Sequence, residues 1–149
     1  MAENTEIDPK AAKAAKANYY FEYVAEQGYR PKIDADGDVS FMKEGFTCYI
    51  SVQPDDDGFF RVLLPNFWPL SSDEELVKAL HAANYANRVS KVVKVAVSKP
   101  KKNVNASFEA FLGNKDDFKP IFERALRSLT YGLTAFRDYM QGRAPATEV

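Results

Sequence analysis

The chain has 149 residues, 46% of them apolar and 13% aromatic, a composition that excludes a disordered chain and fits one domain around a single core. Net charge is −1, yet residues 1–60 hold 6 Lys/Arg against 12 Asp/Glu and residues 61–149 hold 14 against 9. A lone cysteine, Cys48, excludes an internal disulfide, and no apolar run approaches the roughly 20 residues of a membrane-spanning helix.

In chain order, Met1-Ala2-Glu3-Asn4-Thr5-Glu6 is polar and acidic and lacks the basic and apolar regions of a secretory signal. The expected location is the cytoplasm, which makes the glycosylation sequon Asn105-Ala106-Ser107 a chance match. Residues 1–7 read as a flexible N-terminus. Asp8-Pro9 then opens a helix, since Asp caps and Pro tolerates the first helical position. The helix is expected to reach about Gln27, with Ala17, Tyr20, Phe21 and Val24 as its apolar stripe and Gly28 as its stop. Residues 29–35 read as extended, with room for a short extra strand. Val39 and Phe41 alternate with polar neighbours, as do Phe46, Cys48, Ile50 and Val52, which predicts two half-buried strands. Glu44-Gly45 and Asp56-Asp57-Gly58 are the turns between antiparallel neighbours. Residues 59–64 make a third strand, apolar on nearly both faces. Pro65 is expected to end it in a loop that carries Phe67 and Trp68 to Pro69.

Ser71 or Ser72 with Glu74 or Glu75 forms a capping box in either register. The helix it opens is predicted from about Asp73 to Arg88, with Leu76, Leu80 and Ala83 along one face. Val93, Val95 and Val97 alternate in one further strand, and Val104, Ala106, Phe108, Ala110 and Leu112 in another, joined by Lys99-Pro100-Lys101-Lys102-Asn103. The last element has the strongest pattern. Phe118, Phe122, Ala125, Leu129, Leu133, Phe136 and Met140 step by three or four, a continuous helical stripe capped by Asp116 or Asp117. Gly132 inside it lowers helix propensity and therefore marks a close backbone approach. The order is α-βββ-α-ββ-α: an α+β domain over residues 8–141, a single antiparallel-rich sheet with helices packed on one face, followed by a flexible tail at 142–149.

Glu26-Gln27-Gly28-Tyr29-Arg30-Pro31, Asp36-Gly37-Asp38-Val39-Ser40-Phe41, Phe59-Phe60-Arg61-Val62 leading into Leu64-Pro65-Asn66-Phe67-Trp68-Pro69, and Ala82-Ala83-Asn84-Tyr85-Ala86-Asn87 together resemble YbjN-like bacterial proteins. The resemblance spans about residues 19–140. It implies a fold similar to type III secretion chaperones, small proteins that commonly form homodimers and bind other polypeptides. It also implies a part in sensory-transduction regulation. The Ala-rich first helix departs from the family's pattern.

Catalytic, cofactor and metal sites are not expected. His81 has no readable partner for acid–base or metal chemistry, and Cys48 falls in the inward row with Phe46, Ile50 and Val52. Asp34-Ala35-Asp36-Gly37-Asp38 fails the EF-hand spacing, because Val39 stands at the sixth position and Gly45 at the twelfth. It and Asp55-Asp56-Asp57-Gly58 read as turns. Arg88, Lys91, Lys94, Lys99, Lys101 and Lys102 form an acid-free basic run whose 91–102 stripe is a nucleic-acid alternative, although it lacks aromatic residues for stacking. Asn66, Asn84 and Asn87 are expected to hold loops or carbonyls. A small-ligand or enzymatic pocket near Trp68, Asn84 and Asn87 is a further alternative.

The leading expectation is a non-enzymatic, homodimeric module that binds a protein or peptide. The outer sheet face should carry Met42, Tyr49 and Phe111, with either Phe59 and Leu63 or Phe60, Val62 and Leu64. Phe59, Leu63, Phe67, Trp68, Tyr49 and Phe111 are the candidate interaction residues.

Overall fold

A computed structural model describes residues 6–146. Their order is α1 (Pro9–Glu26), β1 (Lys32–Ile33), β2 (Val39–Lys43), β3 (Phe46–Ile50), β4 (Phe59–Pro69), α2 (Asp73–Val89), β5 (Val93–Val97), β6 (Asn103–Phe111) and, after a 3-10 turn at Lys115–Asp117, α3 (Phe118–Met140). All the strands form one antiparallel sheet in the order β1-β2-β3-β4-β6-β5. The predicted α+β order holds, and the extra strand before Asp36 is β1. The N-terminal expectation for residues 1–5 and the tail expectation for 147–149 lie outside the described residues.

All three helices pack on one sheet face. The period-two rows decide which: Val39 and Phe41, Cys48 and Ile50, Phe60, Val62 and Leu64, and Val104, Ala106 and Phe108 are buried under them. Every residue of the predicted α3 stripe is buried, and α3 crosses the middle of the layer. Phe118 stacks edge-on with Tyr20 of α1 at 5.0 Å and lies 5.3 Å from Phe60 of β4, while Phe122 lies 5.8 Å from Phe41 of β2. This aromatic cluster pins α1 and α3 to the sheet; each such ring buried contributes about 1.5–3 kcal/mol. Gly132 does mark a close approach, since a Cβ there would lie 2.9 Å from Val93 Cγ1.

Several local expectations change. β4 runs through Pro65 to Pro69, because a bulge between Leu64 and Trp68 absorbs the prolines. Asn66 takes a left-handed φ of 56° there, and its N–H donates to Asn105 Oδ1 at 2.8 Å, replacing the lost ladder bond. The buried face of α2 is Ala79, Ala82, Ala83, Tyr85 and Ala86, whereas Val77 and Leu80 are 55% and 52% exposed. Small side chains let α2 lie close to α3, so the bulkier aliphatics turn outward. At the start of α3, the capping box belongs to Asn114 and Asp117: Asn114 Oδ1 accepts from the Asp116 N–H at 3.0 Å, and Asp117 Oδ2 from the Asn114 N–H at 2.9 Å. Past α3, Arg143 is tied back to Asp138 by its backbone N–H (2.7 Å) and its guanidinium (3.1 Å).

Candidate functional site

With the helices on one side, no described element covers the other side of the sheet. The register settles which residues of the doubly apolar strand face outward: Phe59 and Leu63 do, together with Arg61, while Phe60, Val62 and Leu64 enter the core. Cross-strand pairing arranges the outer face in rows. Ser40, Tyr49, Leu63, Ser107 and Lys94 align across five strands. Beside them Arg61 faces Glu109, and beyond that Phe59 faces Phe111 with ring centroids 5.9 Å apart. On the opposite flank Met42 pairs with Thr47. Phe111 is 88% and Met42 56% exposed, an unusual position for large apolar side chains on a sheet.

A charged triad interrupts the apolar rows. Glu109 accepts from Lys94 Nζ at 2.9 Å and from Ser107 Oγ at 3.5 Å, and it forms an ion pair with Arg61, whose Nε lies 3.1 Å away without a hydrogen bond. The hydrogen bond from Lys94 holds the Glu109 carboxyl below its usual range against partial burial, helped by the charges of Lys94 and Arg61. The paired charges leave a fixed polar centre flanked by Tyr49 and Leu63 on one side and Phe59 and Phe111 on the other. This mix of apolar rows around a charged centre is similar in composition to protein–protein interfaces.

Of the candidate interaction residues, the fold brings together Tyr49, Phe59, Leu63 and Phe111. Phe67 and Trp68 belong to the helix side, where their rings meet Phe136 of α3 edge-on at 5.3 and 5.7 Å. Trp68 Nε1 donates to Glu75 Oε1 at 3.2 Å, and Glu75 also accepts from the Ser71 N–H (3.0 Å) and hydroxyl (2.6 Å). Ser72 supplies the N-cap, accepting from the Glu75 N–H at 3.1 Å. The predicted box is therefore split over both serines, and it fastens the β4–α2 connection to the indole.

Asn87 bonds the outer sheet edge. Its Nδ2 donates to Val95 O at 3.0 Å, and its Oδ1 accepts from the Val95 N–H at 2.8 Å. Both amide groups are thereby engaged with β5, the edge strand on that side. Asn84 and His81 are exposed on α2. Cys48 is buried, and burial pushes its thiol up to about 11. Asp34 Oδ1 accepts from the N–H groups of Asp36 and Asp38, and Asp56 Oδ1 from that of Gly58, in the manner of Asx turns. The basic run is split among three settings. Lys94 is paired on the outer face as its alternation predicted, Lys99 and Lys101 lie beside Leu76 and Leu80, and Lys91 meets α3.

Sequence reading did not find Arg61, Glu109 and Ser107 as part of this face. Arg61 and Glu109 stand 48 positions apart, and only the β4–β6 register makes them neighbours.

No family model matches the chain, and no curated protein matches it. Among the solved structures that share the fold, one is a chain from the structure of the HopA1-SchA chaperone–effector complex, with a TM-score of 0.55, 11% identity, and coverage of 91% of this chain and 98% of the other. Another is an uncharacterized protein from Methanothermobacter thermautotrophicus, with a TM-score of 0.51, 14% identity, and coverage of 87% and 99%. At these identities the likeness is one of fold, and it agrees with the chaperone-like architecture expected from the sequence. No helix among the described residues is long and apolar enough to cross a membrane.

Proposed function

We propose that the chain is a non-enzymatic module that binds another polypeptide through its bare sheet face, in the manner of secretion-chaperone-like folds. The observation that carries this reading is the uncovered set Tyr49, Leu63, Phe59 and Phe111 around the Arg61–Glu109–Lys94 triad. A chaperone–effector complex among the proteins that share the fold supports it. The YbjN-like motifs are consistent with a bacterial regulatory protein acting in the cytoplasm by such binding.

The module is proposed to work as a homodimer joined through α2, where Val77 and Leu80 project outward beside Leu76 and Val97. Light scattering at tens of micromolar should give twice the chain mass, and Leu80→Asp should halve it; a strict monomer contradicts the dimer. For the partner, capture from extracts of the native cell should recover a protein with the wild-type chain that Leu63→Asp/Phe111→Asp loses. A partner retained equally by that variant would contradict the assignment of the face.

A further inference from the structure

Away from the sheet face, the α2–β5 junction builds a different surface. β5 starts at Val93, opposite Phe108, whereas β6 runs on to Phe111. α3 overhangs the uncovered stretch, leaving two adjoining clefts of about 400 and 260 Å³ that share Lys91, Arg124 and Ser128. The inner lining is apolar, from Val92, Phe108, Ile121 and Ala125. The rim is cationic, from Lys91, Arg124 and Arg127, all of them exposed. Among the described residues no carboxylate lines either cleft. Elsewhere Lys16, Lys94, Lys119 and Arg143 each find an acid within 4 Å, yet these three cations have no ion-pair partner among the described residues.

The backbone supports the same place. Val92, a β-branched residue, holds a left-handed φ of 56° and presents its side chain 62% exposed at the cleft. Such a conformation is an outlier for valine, and it is what turns the chain away before β5 can extend further along β6. Arg124 and Arg127, three apart on α3, put two planar guanidinium forks on one helix face within about 5–6 Å at their Cβ atoms. Forks of that kind match carboxylates, and the apolar floor beneath them suits an aliphatic side chain.

We propose that this cleft seats an acidic, aliphatic segment of a partner polypeptide, its carboxylates on Arg124, Arg127 and Lys91 and an aliphatic side chain over Phe108 and Ala125. A bare inorganic anion would use the rim and leave the floor empty. A nucleic-acid strand would find one aromatic residue at the rim, Tyr131, where base stacking needs several. The inference rests on the reading of this chain as a polypeptide binder, but it assigns a separate contact surface.

Titration of the ¹⁵N-labelled protein with the peptide acetyl-Glu-Leu-Glu-Leu-Glu-amide tests it, followed residue by residue by NMR. Saturable shifts are expected at Lys91, Val92 and Ser128, and binding should weaken about tenfold or more in Arg124→Glu/Arg127→Glu and with Gln in place of Glu in the peptide. Both arginines are exposed, so the variant should unfold at the wild-type temperature; Arg124→Gln/Arg127→Gln serves if it does not. Absence of shifts at the cleft, equal binding of the Gln peptide, or equal binding by the variants overturns the proposal. So does tighter binding there by inorganic phosphate or oligo-dT. Shifts confined to Tyr49, Leu63 and Phe111 overturn the cleft and leave the sheet-face reading standing. Shifts at the cleft alongside a partner captured equally by Leu63→Asp/Phe111→Asp do the reverse.

Discussion

Trp68 turns from a candidate surface residue into a monitor of the β4–α2 junction. Its indole lies against Phe136 and donates to Glu75, whose carboxyl is held below its usual range by the hydroxyl and N–H of Ser71 and then by Trp68. A depressed carboxyl contributes stability above its unfolded pKa and loses it as pH falls through the folded one. Acid titration should therefore shift Trp68 emission below the ordinary glutamate range, and Glu75→Gln should remove that transition; an identical acid profile in the variant would contradict the linkage. Asn87 is a second case. Loss of its two bonds to Val95 in Asn87→Ala should cost about 1 kcal/mol in urea unfolding, whereas Asn84→Ala should be near neutral. From the sequence the two asparagines looked equivalent, because nothing local reveals that one of them reaches the edge strand.

At the scale of elements, α3 was the most legible. Its stripe at steps of three and four is long enough to specify both type and buried face. Gly132 could also be read, since a helix keeps such a residue where a neighbour crowds it. Gly132→Ala should gain about 1 kcal/mol of helix propensity, yet set its Cβ 2.9 Å from a stiff valine methyl, so the net effect should be destabilising. Adding Val93→Ala should restore much of the loss; a Gly132→Ala variant more stable than wild type would contradict the close approach. Of the expected α2 face, Leu76, Leu80 and Ala83, only Ala83 is buried: the bulky Leu80 turns outward, and the helix buries mainly alanines beside Tyr85. The end of β4 was misread because prolines stop regular ladders but not bulges, and the bulge depends on Asn105, far away in the chain. The face of β4 could not be chosen at all: 59–64 is apolar on both sides, and only burial of Phe60, Val62 and Leu64 beneath α1 and α3 breaks the tie.

Across the whole molecule, the architecture is one-sided. Three helices cover one face of a six-stranded sheet, and the other face keeps Met42, Tyr49, Leu63, Phe59 and Phe111 around a paired polar centre. The arrangement followed from the sequence because strand alternation was clear on β2 and β3 and the helices were few. The cationic cleft did not follow, since Lys91 and the α3 arginines meet only when β5 stops short of the end of β6. The charge imbalance between the two parts of the chain was visible from the start, and much of its basic surplus stands on α3 and at the α2–β5 junction.

The central claim is that the bare sheet face is occupied by another polypeptide. Its most direct test is in-cell photocrosslinking with benzoyl-phenylalanine in place of Phe111, an exposed ring that the substitution preserves, against the same probe at Glu22 on the exposed side of α1. Discrete adducts with a second protein from position 111, absent from position 22 and reduced by Leu63→Asp, are predicted. No adduct from position 111, or equal adducts from both positions, would contradict it.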